Sequence, residues 1–153
     1  MKVLMVCLGN ICRSPMAEGI LRAKAEQKGL SIEVDSCGTA DYHVGENPDP
    51  RSIEKSMEHN VDIASLCGRQ LSVEDFDHFD IILAMDSNNY HDIQKLARNE
   101  ADLDKVRMIL NYTHPDEEKS VPDPYYGGDD GFEKVFQLLD KASDAFIRTH
   151  YNG

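Results

Sequence analysis

The chain has no apolar run approaching the roughly 20 residues that span a bilayer, which excludes a membrane-crossing helix. Its four cysteines, Cys7, Cys12, Cys37 and Cys67, form no CxxC pair and fall short of disulfide-scaffold density. Free thiols in a reducing cytoplasm are therefore expected. The same four lack zinc-ligand spacing, and His43, His59, His78, His91, His114 and His150 are scattered, so no metal and no cofactor are expected. Met1-Lys2-Val3-Leu4 runs straight into an apolar segment with no small-residue cleavage site, and no signal peptide is expected. Positive charge is scarce: 16 Lys and Arg stand against 28 Asp and Glu, a net charge of −12. That balance argues against nucleic acid as a partner. There is no internal repeat, low-complexity tract or linker.

What is present fits one domain over residues 1–153, with 41% hydrophobic residues supplying a core. Four apolar runs read as parallel strands: Val3–Val6, Ile32–Ser36, Ile81–Ala84 and Val106–Leu110. Helical patterns separate them. Met16, Ile20, Leu21 and Ala25 mark a first helix ending near Gly29, and Pro50 to Glu58 a second. Ser72-Val73-Glu74-Asp75 resembles a capped short helix, Ser87 to Arg98 gives another, and Gly131 to Tyr151 is the longest. Alternating strands and helices predict a three-layer α/β sandwich with a four-stranded parallel sheet and right-handed crossovers. Ligands in such sheets bind beyond the strand C-termini.

One loop lies at that edge: Cys7-Leu8-Gly9-Asn10-Ile11-Cys12-Arg13-Ser14, between the first strand and the first helix. Pro15 suits the first helical turn, where its missing N–H costs nothing. Free backbone N–H groups and the helix dipole favour an anion there. A helix N-terminus and a nearby Arg are also the surroundings that favour a thiolate. Gly9 and Asn10 tolerate the positive φ of a tight anion nest, and Arg13 carries a planar fork matched to phosphate oxygens. A lone Cys after a strand is usually a small buried apolar residue. Here an Arg between Cys12 and Ser14 has no use in a packing loop. The positive end of the chain is this end: residues 1–30 hold five Lys and Arg against Glu18 and Glu26.

Thiolate cleavage of a phosphate ester needs an in-line nucleophile, donors to the equatorial oxygens and an acid for the leaving oxygen. Cys7 and its loop offer the first two. A long irregular stretch from about Asn111 to Asp130 contains Asp123-Pro124-Tyr125-Tyr126. Pro124 biases Asp123 toward an extended conformation. Tyr125 and Tyr126 are suited to wall an aryl leaving group. On these residues alone, Asp123-Pro124 in an acidic loop fits an ordinary turn better than an acid.

The chain resembles the low-molecular-weight protein tyrosine phosphatases. The C-x5-R-S-P loop near the N-terminus and Asp123-Pro124-Tyr125-Tyr126 near the C-terminus are that family's paired signature. Asp35-Ser36-Cys37-Gly38-Thr39-Ala40, Val44-Gly45, Pro48-Asp49-Pro50-Arg51, Arg69-Gln70, Asp75-Phe76, Phe79-Asp80 and Met85-Asp86 match in order between them. The resemblance implies a flavodoxin-like (Rossmann-like) fold and hydrolysis of phosphotyrosine in proteins, and of small aryl phosphates, through a cysteinyl-phosphate. It implies that Cys7 attacks phosphorus, that Arg13 binds the phosphate, and that the N–H groups of Leu8, Gly9, Asn10, Ile11, Cys12, Arg13 and Ser14 cradle its oxygens. Asp123 would protonate the leaving phenolate and then act as base. Asn10 would hold the strained loop, Ser14 would donate to the Cys7 thiolate, and Cys12 would trap Cys7 as a reversible disulfide under oxidation. Tyr42 falls at a variable wall position. Leu66 stands where the family often has a His supporting the loop Asn, so the network around Asn10 is expected to be incomplete, or rebuilt around Ser36 or Asp86. The implied partner is a phosphotyrosine-containing protein, with a tyrosine kinase among the candidates; nucleic acid and membrane are not expected, and the chain is expected to be a monomer.

Three rivals share part of this pattern. A thioredoxin-coupled arsenate reductase needs a relay of two further Cys, and no Cys follows Cys67. A phosphoryl-carrier domain needs neither Arg13 nor Asp123. A catalytically dead phosphotyrosine-binding module has no reason to keep Cys7, Arg13 and Asp123 together.

Overall fold

Strand β1, Lys2–Cys7, runs through the middle of the sheet, and Val3, Leu4, Met5 and Val6 have no exposed surface. A strand covered on both faces reads as an unbroken apolar run. Burying each such side chain contributes roughly 1.5–3 kcal/mol. The computed structural model that shows this describes residues 1–124 and 129–151. β1 pairs in parallel with β2 (Glu33–Gly38) on one side, Val6 opposite Cys37, and with β3 (Ile81–Ala84) on the other, Val6 opposite Ala84. β4 (Val106–Met108) pairs with β3, which gives the order β2-β1-β3-β4.

Alternate residues of β1 feed two cores. Val3, Met5 and Cys7 face the layer of α1 (Arg13–Lys28) and α6 (Asp129–Tyr151), packing with Met16, Ile20, Phe132, Leu139 and Phe146. Leu4 and Val6 face the opposite layer with Phe76 and Ile93, carried by α3 (Asp75–His78) and α4 (Ser87–Leu96). The three-layer α/β sandwich with its four-stranded parallel sheet is therefore the observed architecture. α2 (Pro50–Glu58) packs beside α1 and α6, and α5 (Glu100–Asp104) leads into β4.

Local chemistry explains most element ends. Asp49 caps α2 by accepting the Arg51 N–H at 2.8 Å, with Pro50 opening the helix. Asp86 caps α4 through the Asn89 N–H at 2.7 Å, and Gly29 closes α1 at φ 65°.

Several expected boundaries shift. β2 begins at Glu33 and runs on to Gly38, because Cys37 and Gly38 pair with Val6 and Cys7 and the Gly38 N–H donates to the Arg69 carbonyl at 2.9 Å. The fourth strand stops at Met108 rather than Leu110, because β3 ends at Ala84, its partner; Ile109–Tyr112 turn into a short 3-10 helix. Ser72 does not cap α3. Instead the Asp75 carboxylate accepts the Ser72 N–H at 2.9 Å. α4 ends at Leu96, where Ala97 adopts extended geometry.

Candidate active site

Cys7 ends β1 and is 2% exposed, and the chain turns through residues 8–12 before Arg13 opens α1. Four carbonyls of residues 7–12 are tied to neighbouring segments. Thr39 N–H donates to Cys7 O at 2.9 Å, Ala40 N–H to Leu8 O at 3.0 Å and Asp49 N–H to Ile11 O at 2.8 Å, while Ser52 Oγ donates to Cys12 O at 3.0 Å. No peptide bond among the described residues is cis. In a trans peptide the next N–H points opposite to its carbonyl. The N–H groups of Leu8, Gly9, Cys12 and Arg13 are thus turned away from these ties, and their residues line a common cleft. Loop and β2 approach closely: a Cβ on Gly38 would lie 2.6 Å from Leu8 O.

Asn10 makes the turn at φ 59°, a left-handed conformation that costs roughly 1–2 kcal/mol outside glycine. Its side chain holds it there. Nδ2 donates to Ser14 Oγ at 2.8 Å and to Ser36 Oγ at 3.0 Å, and Oδ1 accepts the Arg69 N–H at 3.1 Å. The Asn10 N–H in turn donates to Cys7 Sγ at 3.3 Å, and Ser14 Oγ lies 3.0 Å from the same sulfur. The network expected around Ser36 or Asp86 is built around Ser36, with the Arg69 amide at its other end; Leu66 instead packs against the core.

Asp86 serves Arg13. The Arg13 side chain is 3% exposed; its Nη1 donates to Asp86 Oδ2 at 2.6 Å and to the Val121 carbonyl at 3.1 Å, and its Nη2 lies 3.5 Å from Asp123 Oδ2. Burial works against the guanidinium charge, but Cys7, Asp86 and Asp123 outweigh it and its pKa is raised. Cys12 behaves oppositely to an anion-site thiol. Burial first, then Asp49, Cys7 and Asp123, push it far above the usual thiol range, so it stays protonated. Cys37 is also pushed up by burial.

These groups line one cleft of about 70 Å3: Cys7, Leu8, Gly9, Ile11, Cys12, Arg13, His43 and Asp123. A buried thiol with the Asn10 N–H and the Ser14 hydroxyl on its sulfur, a buried guanidinium lining the same cleft and a carboxylate 3.5 Å from that guanidinium fit an anionic electrophile that leaves as an oxyanion.

A sequence model described as low molecular weight phosphotyrosine protein phosphatase matches residues 2–151. The chain belongs to this family. A low molecular weight phosphotyrosine protein phosphatase of Schizosaccharomyces pombe is 43% identical over 97% of this chain and 96% of its own. The crystal structure of a protein tyrosine phosphatase from Entamoeba histolytica, with Hepes in its active site, is 34% identical, with TM-score 0.91 over 99% of this chain and 98% of that one. An arginine phosphatase from Drosophila is 32% identical, with TM-score 0.92 over 99% of this chain and 98% of its own.

Within this phosphatase fold, the residues singled out from the sequence separate into three groups. Cys7, Leu8, Gly9, Ile11, Cys12, Arg13 and Asp123 line the cleft, with Asn10 and Ser14 bonded behind it. Tyr42 is 70% exposed and is not among the lining residues; its neighbour His43 is, with its ring 3.0 Å from where a Gly9 Cβ would stand. Tyr125 and Tyr126 lie outside the described residues. His43 and Glu18 had no motif to mark them. The fold brings His43 to the rim, held by Glu46 Oε2 at 2.8 Å, and buries Glu18 against Ser36.

Proposed function

We propose that this family member hydrolyses phosphotyrosine in proteins, and small aryl phosphates, in two steps at Cys7. In the first, the Cys7 thiolate attacks phosphorus, an S–P bond forms and the P–O bond to the aryl group breaks, with Asp123 giving its proton to the leaving oxygen. In the second, Asp123 takes a proton from water as the water oxygen attacks phosphorus, the S–P bond breaks and inorganic phosphate leaves. Arg13 and the loop N–H groups carry the charge on the equatorial oxygens through both steps. The observation that carries this reading is the convergence on one cleft of a doubly hydrogen-bonded Cys7 Sγ, the buried Arg13 and, 3.5 Å from that guanidinium, Asp123.

The finer assignments belong to the same proposal. The substrate is a phosphotyrosyl protein and the opposing partner a tyrosine kinase. The chain acts as a monomer in the cytoplasm, with Cys7, Cys12, Cys37 and Cys67 as free thiols in its resting state. Cys12 rescues an oxidised Cys7 as a disulfide. Residues 1–153 act as one domain. Tyr42 and the segment at Tyr125 and Tyr126 contact the substrate.

The test is steady-state hydrolysis of p-nitrophenyl phosphate and a phosphotyrosine peptide by the purified protein with chelator present, alongside a phosphoarginine peptide, with rapid acid quench to trap phosphoryl-Cys7. Metal-independent turnover of the aryl esters with label on Cys7 is expected. Loss of all activity on chelation with recovery on adding a divalent ion overturns the mechanism, and preference for phosphoarginine overturns the substrate.

A further inference from the structure

Glu18 lies on α1 one turn beyond Ser14, yet its side chain is 3% exposed. A buried carboxylate is costly unless both oxygens are satisfied. Here Ser36 Oγ donates to Oε1 at 2.7 Å, and Arg22, one turn along the helix, donates to Oε2. Arg22 is 40% exposed and also donates to the Val34 carbonyl at 2.7 Å. Burial pushes the Glu18 carboxyl upward, Ser36 and Arg22 pull it down, and Asp35 on β2 adds to the rise. Asp35 is itself paired with Arg69 at 3.0 Å.

Glu18 sets the direction of the Ser36 hydroxyl, the first of the hydrogen bonds that run toward Cys7. The Ser36 hydroxyl has one proton, and an ionised Glu18, held by Arg22, can only accept it. Ser36 Oγ is left as an acceptor for Asn10 Nδ2 at 3.0 Å. The far end of the Asn10 amide is fixed independently, since Oδ1 accepts the Arg69 N–H at 3.1 Å. Both ends therefore agree that the amide NH2 faces the two serines. Ser14 Oγ accepts from it at 2.8 Å, which leaves the single Ser14 proton for an acceptor. Cys7 Sγ is at 3.0 Å, against 3.4 Å for the Cys37 carbonyl.

We propose that Glu18 is a positioning residue for the nucleophile: by holding the Ser36 proton it keeps Ser36 Oγ an acceptor and, together with the Arg69 N–H on Asn10 Oδ1, holds the Ser36–Asn10–Ser14 series in the direction that points the Ser14 O–H at Cys7 Sγ and stabilises the thiolate. The inference rests on the reading of Cys7 as the nucleophile. It makes a buried acid that never meets the substrate a determinant of thiolate content.

Glu18→Gln tests it with almost no change of shape. Arg22 can only donate, so it claims the one amide oxygen and turns the NH2 toward Ser36. The Ser36 hydroxyl then faces donors on both sides. The measurement is the pH dependence of iodoacetamide alkylation, located at Cys7 by mass spectrometry. It is paired with kcat and KM for p-nitrophenyl phosphate and with the inhibition constant of inorganic phosphate. The alkylation midpoint is expected to rise by about one pH unit, the scale of one hydrogen bond to a charged group. At a pH below that midpoint kcat falls about 10-fold, in proportion to the lost thiolate. Phosphate inhibition stays near wild type, a split that general loosening of the fold does not produce. Ser36→Ala gives the same rise, and the double variant shifts no further than either single one, because both cut the same series. If Glu18→Gln does not fold, Ser36→Ala alone decides. An unchanged midpoint in a folded variant, or additive shifts in the double, overturns the proposal. A wild type that alkylates with these midpoint shifts but hydrolyses no aryl phosphate overturns the phosphatase reading and leaves the role of Glu18 standing.

Discussion

The loop of residues 7–14 and the segment that carries Asp123 meet at the same cleft but are held in opposite ways. In the loop, four carbonyls are held from residues 39–40, Asp49 and Ser52, the Asn10 side chain bonds Ser14, Ser36 and the Arg69 N–H, the Cys7 sulfur bonds Asn10 and Ser14 within the loop, and Cys7 and Arg13 are 2% and 3% exposed. The Asp123 segment is tied near the site through Val121, whose N–H donates to Met85 O at 2.7 Å and whose carbonyl accepts from Arg13 at 3.1 Å. Two residues on, the Asp123 side chain is 35% exposed, with Arg13 Nη2 at 3.5 Å. The difference follows the two tasks. Groups that bind a charge before reaction work best when their dipoles are already oriented, since no reorganisation is then needed at the barrier. A proton donor must meet leaving groups of varied shape, and an exposed position allows that.

The largest effect is expected at the centre of the loop. Cys7→Ser leaves the same hydrogen-bonding frame but replaces a sulfur that can ionise with a hydroxyl that cannot, so turnover should drop to background. Far-UV circular dichroism and thermal unfolding should remain close to wild type. Substantial turnover would show that the rigid frame, and not the thiolate, performs the reaction.

Asp123→Asn breaks the other side. General acid catalysis is typically worth about 10²–10⁴-fold, so phosphotyrosine peptides should slow by that order, while aryl phosphates with acidic leaving groups slow much less. Vanadate and phosphate should bind nearly as before. Parallel rate losses across a graded leaving-group series would return Asp123 to an ordinary turn.

Asp86 tests the link between the two regions. Asp86→Asn keeps the Oδ1 that caps α4 but removes the charge opposite Arg13 Nη1. A hydrogen bond between charged groups is worth about 1.5–3 kcal/mol. kcat/KM should therefore fall by roughly 10–100-fold with little change in melting temperature. An equal loss of stability would mean that Asp86 matters as a cap and not as the support of Arg13.

The smallest change should follow Cys12→Ser under reducing conditions. Its thiol stays protonated through burial and the nearby Asp49, Cys7 and Asp123, so it takes no part in the reduced reaction and activity should stay within about 2-fold. After matched peroxide exposure, recovery with thiol should be poorer than in wild type, because Cys12 is assigned to trap a sulfenic acid on Cys7 before it oxidises further. Equal recovery would remove Cys12 from that role.

Where chemistry is local, the sequence is legible. Ile81–Ala84 and Pro50–Glu58 have the bounds the sequence predicts, the first from four apolar residues in a row, the second from Asp49 and Pro50 at its start. The Cys7 loop is legible for the same reason: nucleophile, anion nest and guanidinium lie within eight residues. α5 escapes because five residues from Glu100 to Asp104 are too few to show a helical period, though Asn99 is its visible cap. Asp123 needs the resemblance, since an Asp before Pro carries no sign of Arg13, 110 residues away. Glu18 and His43 are illegible for a deeper reason. Their significance comes from Ser36 and from Gly9, which only the parallel crossovers bring against them.

The sheet also has an outer consequence. Its two margins, β2 and β4, are where another chain would add a strand. β4 offers only three residues, Val106–Met108, with Arg107 exposed between them, and β2 carries Glu33 and Asp35 along its length and is closed at its end by the bridge from Gly38 to Gln70. Short, charged and capped margins are poor templates for edge-to-edge growth. The four-stranded open sheet therefore offers little purchase for strand addition by a further copy, and lengthening β4 with apolar residues is the change that would most expose it to such addition.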